Sequence, residues 1–183
     1  IMLLGNVLDL GVPSDNTVST AKLVDGSVTS AKLASGAVAN TPAFLAYRAT
    51  DQSSVSDATL TKVQHSTEAF DTDSAYDNST NYRFTVPTGK AGKYVIYHCV
   101  RGADFSANRL ISILQKNGST VSHHESENSN STRPSSQGSV VLDLSAGDYI
   151  ENFVYIDSGA TRSLLGGGSG IFDTFFGGYR LIE

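Results

Sequence analysis

The chain has 183 residues and a mass of 19.3 kDa, with 39% apolar, 17% charged and 9% aromatic residues and a formal net charge of -5. That is one domain with room for a small appendage, and the longest apolar runs, such as Tyr94-Val95-Ile96-Tyr97, fall far short of the roughly 20 residues that span a bilayer. A single cysteine, Cys99, excludes an intrachain disulfide framework or a multi-cysteine zinc site, and a pI near 5.3 with singly scattered Lys and Arg speaks against nucleic-acid binding.

The chain opens Ile1-Met2-Leu3 without a signal peptide, which reads as the end portion of a longer polypeptide. A ten-residue repeat follows: Thr17-Val18-Ser19-Thr20-Ala21-Lys22-Leu23-Val24-Asp25-Gly26, then Ser27-Val28-Thr29-Ser30-Ala31-Lys32-Leu33-Ala34-Ser35-Gly36, with a third copy breaking off after Ala37-Val38. One unit offers too few apolar side chains to bury a face by itself, so it needs neighbours, and identical chains wound side by side are the economical ones. The alternative is a flexible Ser/Thr/Gly linker of low complexity. All 16 Phe and Tyr lie from Phe44 onward, which divides the chain into a fibrous stem over 1–40 and a head over 41–183.

Beyond Thr41-Pro42 the pattern is that of short alternating segments, with strands expected over 44–48, 82–86, 93–100, 109–116, 139–144, 148–156 and 175–182. Pro87-Thr88-Gly89, Asn117-Gly118, Ala146-Gly147-Asp148 and Asp157-Ser158-Gly159 supply the turns. With 25 Ser and 16 Thr and no sustained helical period, the head is expected to be an all-β sandwich or jelly roll. Gly118 to Gln137, whose apolar content is Val121 alone, reads as a long polar surface loop, and Gly166-Gly167-Gly168-Ser169-Gly170 as a flexible one.

Few residues carry chemistry. His123-His124-Glu125 is the one cluster of transition-metal ligands; on a threefold axis one His per chain could hold an ion, though adjacent strand residues face opposite ways and at most one of the pair can point inward. Asp71, Asp73 and Asp77 could begin a calcium loop, but the Gly and Glu of an EF-hand are missing, and a closed turn is the default. No cofactor is expected beyond these two options. G-x-S-x-G, H-E-x-x-H and P-loop patterns are absent, so no enzyme is expected. Cys99 reads as a buried, inert thiol.

The residues of 43–183 resemble the globular heads of the C1q and tumour-necrosis-factor superfamily. The likeness rests on Ala43-Phe44, on Phe84-Thr85-Val86-Pro87 with Gly92-Lys93-Tyr94, and on Leu114-Gln115-Lys116-Asn117-Gly118. It continues through Val140 to Tyr149, with its L-D-L-S-A-G-D-Y, and closes with Phe176-Gly177-Gly178-Tyr179-Arg180-Leu181. It implies a C1q/TNF-like jelly-roll sandwich assembling as a homotrimer. The stem resembles instead the T-x-A-K-L-x-D-G shaft repeats of bacteriophage tail fibres, and no collagen Gly-X-Y period is present.

Together the two resemblances imply a non-enzymatic receptor-binding tip at the C-terminal end of a phage tail fibre, located on the virion. Its partners would be two copies of itself, upstream fibre or virion proteins, and a host glycan or outer-membrane protein. Recognition residues on a rigid β scaffold belong on loops, and the polar stretch supplies His123, His124, Glu125, Asn128, Asn130 and Arg133, joined by Tyr155 and Arg162 and, secondarily, Tyr47 and Tyr76. A trimerisation cap without receptor binding, or a secreted C1q-like module, are the alternatives.

Overall fold

From Ala43 onward the chain forms strands β1 (Ala43–Tyr47), β2 (Gln52–Val55), β3 (Thr61–Lys62), β4 (Thr67–Asp71), β5 (Tyr76–Asp77), β6 (Arg83–Thr85) and β7 (Gly92–Arg101). These are followed by β8 (Ala107–Lys116), β9 (Ser119–Ser129), β10 (Ser135–Leu144), β11 (Tyr149–Asp157), β12 (Arg162–Leu164) and β13 (Phe175–Arg180). The structure is a computed structural model that describes residues 15–29, 32–33, 40–129 and 132–181. Its contacts separate two units, Ile1–Ala39 and Asn40–Glu183.

In the first unit the sequence repeat is also a structural one. A 3-10 turn over Thr20–Lys22 is closed by Lys22 N–H donating to Ser19 O at 2.9 Å, and Lys32 N–H donates to Thr29 O at the same distance one repeat later. The lysine arm then folds back over its turn: Lys22 Nζ donates to Thr17 O at 2.6 Å, and Lys32 Nζ to Ser27 O at 2.7 Å. Both acceptors are the first residue of their unit. Val18, Leu23, Val28 and Leu33 remain exposed, the same two positions of each repeat.

The second unit is a sandwich. One sheet has the order β10-β7-β13-β1-β4 and the other β5-β6-β11-β8-β9, with β3 added beside β11 and a separate β12-β2 pair. Ala43 pairs with Tyr179, so the first and last strands of the head begin and finish at one end. The connections 102–106 and 158–174 lie at the opposite end, where β7, β8, β10 and β13 begin or finish.

Alternation along the strands builds the core in three layers. At the Ala43 end Phe44, Phe84, Tyr94, Ile96, Leu114, Ile150 and Phe176 form one buried apolar cluster, in which the Phe44 and Phe84 rings stack at 4.6 Å. At the other end Val100, Phe105, Leu110, Val154, Ile156 and Leu164 form a second. Between them three strands swap to a polar side chain: His98 lies between Ile96 and Val100 on β7, Ser112 between Leu114 and Leu110 on β8, and Asn152 between Ile150 and Val154 on β11. With His65 and Ser136 these make a buried polar belt across the sandwich.

All seven expected strands are present, with shifts of a few residues at their ends. Two expectations are corrected. Gly118 to Gln137 is not a loop: it holds the whole of β9 and the start of β10. The glycine run is not a flexible loop either, because Gly166 crosses the Thr50 backbone so closely that a Cβ would collide with the Thr50 carbonyl, and Gly167 packs as closely on Ile171. The crossing is tied by Gly166 N–H to Asp51 Oδ1 at 2.8 Å and Gly167 N–H to Arg48 O at 3.1 Å.

Candidate functional site

Strand alternation turns three of the proposed recognition residues to the outer face of the β11-β8-β9 sheet. Tyr155, Ile111 and Glu125 lie abreast on neighbouring strands, as do Phe153, Ile113 and His123. Arg109, which sequence reasoning treated only as a strand residue, ties this face together. Its guanidinium lies 5.2 Å from the Tyr155 ring centroid, and its Nε is 3.3 Å from Glu125 Oε1. The Tyr155 hydroxyl and Glu125 hold the guanidinium in its charged form. On the Phe153 side Lys62 Nζ approaches Glu151 Oε1 at 2.6 Å and the Phe153 ring at 5.6 Å. The result is a half-exposed apolar centre, Ile111, Ile113, Phe153 and Tyr155, rimmed by both signs of charge and by the exposed His123 imidazole. Such a rim suits a partner bearing both hydrogen-bonding groups and apolar faces, as sugars and protein loops do.

The other candidates stand elsewhere. His124 points the opposite way from His123: its ring packs over Gly138, 5.3 Å from the His98 ring. Arg133 lies in the connection before β10, paired with Asp104 at 3.1 Å. Arg162 sits over the Phe105 ring at 5.3 Å and donates to Ser158 Oγ at 3.0 Å. Asn128 is described by its backbone alone and Asn130 falls outside the described residues. Tyr47 and Tyr76 are buried and cannot meet a receptor: the Tyr47 hydroxyl accepts from Gly170 N–H, and Tyr76 O–H donates to His65 O. A strand's alternation, applied to β9 and β8, would have separated His123 from His124 and picked out Arg109.

The calcium option does not fit the residues. Among the described residues no group of three or more His, Cys, Asp or Glu side chains is placed to hold an ion. Asp77 accepts from the main-chain N–H groups of Ser79, Thr80 and Asn81, which pull its carboxyl well below the usual range, and Asp71 accepts from Asp73 and Tyr76 N–H. These carboxylates close turns. Cys99 is buried, which pushes its thiol up to about 11. Among the described residues no helix is long and apolar enough to cross a membrane.

The outer face of the opposite sheet is different in kind. Leu45, Val95, Tyr97, Phe175, Tyr179, Phe70 and Val141 project from it, and the Tyr97 ring lies flat on Gly177, where a Cβ would stand 2.6 Å from it. At its margin Leu45, Tyr97, Phe172 and Phe175 line a cavity of about 230 Å³.

The strand order and the two-faced sandwich match known domains. The globular domain of a zebrafish complement 1qA protein aligns at 19% identity over 78% of this chain and 99% of its own, with a TM-score of 0.56. The head has the C1q/TNF jelly-roll fold. Murine APRIL aligns at 17% identity, covering 76% of this chain and 98% of its own with a TM-score of 0.56. An Eiger TNF from S. frugiperda aligns at 17%, covering 77% and 92%, with a TM-score of 0.55. No family model and no curated protein matches the chain. In the jelly-roll head the Arg109 face and the Tyr97 face thus lie on opposite sheets of one C1q/TNF-like sandwich.

Proposed function

We propose that the chain is a non-enzymatic receptor-binding module of a bacteriophage tail fibre, a homotrimer whose stem winds three repeats together and whose jelly-roll head grips the host surface. The observation that carries this reading is the stem. Two successive decapeptides adopt one lysine-closed turn and leave the same two apolar positions uncovered, as a shaft of identical chains requires.

The head supports the same assembly. Its apolar Tyr97 face is the kind of surface that oligomers bury, and the resemblance to C1q and TNF heads implies a threefold bundle. With that face covered, the Arg109 face on the other sheet stays in solvent, three copies per trimer, so that weak individual contacts to a glycan or outer-membrane protein add as avidity.

Light scattering coupled to size exclusion, followed by pull-down of candidate host cells, tests both parts. A mass near three times 19.3 kDa with cell binding supports the reading. A monomer overturns the fibre, and a trimer that binds no host surface leaves the trimerisation cap.

A further inference from the structure

We propose that the polar belt across the head is an acid-responsive seam: it holds the two sheets together only while its histidines are neutral, so the sandwich loosens along β7 and β8 as the medium turns acidic.

The hydrogen-bond directions around His98 require it to be neutral. Asn152 is pinned by its amide, which donates from Nδ2 to Ile113 O at 3.1 Å and to Ser112 Oγ at 3.1 Å. Its Oδ1 therefore accepts, and the partner 3.1 Å away, His65 Nε2, carries the proton. The Ser112 hydroxyl, already accepting from Asn152, has His98 Nδ1 at 2.6 Å as the acceptor for its own hydrogen. His98 is thus the tautomer with hydrogen on Nε2, an atom that is buried and has no partner. A second proton on His98 would have to go to Nδ1, where Ser112 O–H already points. Ser112 would then face two donors and have nowhere to direct its own hydrogen.

No counter-charge relieves this. The titratable groups facing His98 are His124 from β9 and His65, both imidazoles; the other residues packed on it, Ser112 on β8, Asn152 on β11, Ser136 and Gly138 on β10 and Phe176 on β13, carry no charge. His65 has His98 on one side and the Arg48 cation on the other, with the Thr174 main chain beside it. Burial first, then neighbouring positive charge, holds His98 down to about 4; burial holds His65 down to about 3, with Arg48 and His98 adding to it. Since free histidine titrates near 6.5, the unfolded chain binds more protons than the folded head below that pH. Stability is therefore full above about pH 6.5 and falls as the pH drops toward about 4.

The test compares thermal unfolding of the full chain at pH 7 and pH 4.5 with that of His98→Asn, whose Oδ1 can accept from Ser112 and cannot titrate. The wild type should lose about 5–10 °C more in Tm than the variant across this range. Equal losses overturn the proposal. If His98→Asn does not fold, nitrogen-15 NMR of the wild-type imidazoles decides. A His98 that keeps hydrogen on Nε2 and stays neutral at pH 5 supports the seam; one that takes a second proton near pH 6.5 with the head still folded overturns it.

Discussion

The imidazole of His124 occupies the space that a side chain on residue 138 would fill. A Cβ placed on Gly138 would penetrate the His124 ring. Gly138 has no unusual backbone conformation, so its requirement is one of room alone. Gly138→Ala should cost about 1–3 kcal/mol in urea unfolding by forcing the ring out. Adding His124→Ala should recover part of that loss, a coupling that a double-mutant cycle reads directly.

Arg48 is a buried cation held by carbonyls rather than by a carboxylate. Its Nε donates to Thr50 O at 3.1 Å, its Nη2 to Asp51 O at 2.9 Å, and its Nη1 to Gln64 O. Arg48→Ala removes the donor shared by three main-chain carbonyls and the packing of a buried side chain, and should destabilise the head by about 1–3 kcal/mol in chemical denaturation. Arg48→Lys should recover only a fraction, because a single ammonium cannot match the fork.

Gly166 meets backbone, which cannot swing aside as a ring can. Gly166→Ala should lower Tm by more than Gly138→Ala does, while Gly168→Ala, whose Cβ would enter open space, should be limited to the strain of a positive φ, about 1–2 kcal/mol. Differential scanning calorimetry of the three variants checks the order.

On the Arg109 face, Arg109→Ala and Tyr155→Ala should each weaken host-cell binding about tenfold or more, with the solution mass unchanged, if this face carries the contact. Arg162→Ala, held over the Phe105 ring and outside the Arg109–Tyr155–Glu125 cluster, should leave binding nearly as it was. Cell pull-down with labelled protein separates the two patterns.

On the opposite sheet, Val95→Glu would bring a charge into the apolar face without touching the core. It should reduce the light-scattering mass toward 19.3 kDa while the far-ultraviolet circular dichroism of the head persists. Persistence of a trimer would remove this face from the assembly.

The seven strands foreseen from alternation were those with an apolar inner face: Tyr94, Ile96 and Val100 on β7, or Leu110 and Leu114 on β8, announce themselves. β9 did not, because its inner face meets the polar belt with Ser122 and His124 and its outer face is solvent. A strand with polar residues on both faces looks like a loop. For the same reason His98, Ser112 and Asn152 passed unnoticed, each an interruption in an otherwise apolar row. The glycine run was misread because its partner, Thr50, lies over a hundred residues away in the chain, and close backbone crossing leaves no local signature. Tyr155, Glu125 and His123 were proposed by residue type, and that Tyr155 and Glu125 meet at Arg109 depended on the β11-β8-β9 register.

The pairing of Ala43 with Tyr179, reinforced by Arg180 N–H donating to Pro42 O at 3.0 Å, brings the two strand ends of the head side by side. A domain whose ends leave together can be cut out and spliced into another chain as a cassette, with one short junction on each side and no rerouting through its interior. Heads of this kind can be exchanged between carriers by recombination at a single place, and a protein engineer could insert this one into a surface turn of an unrelated scaffold.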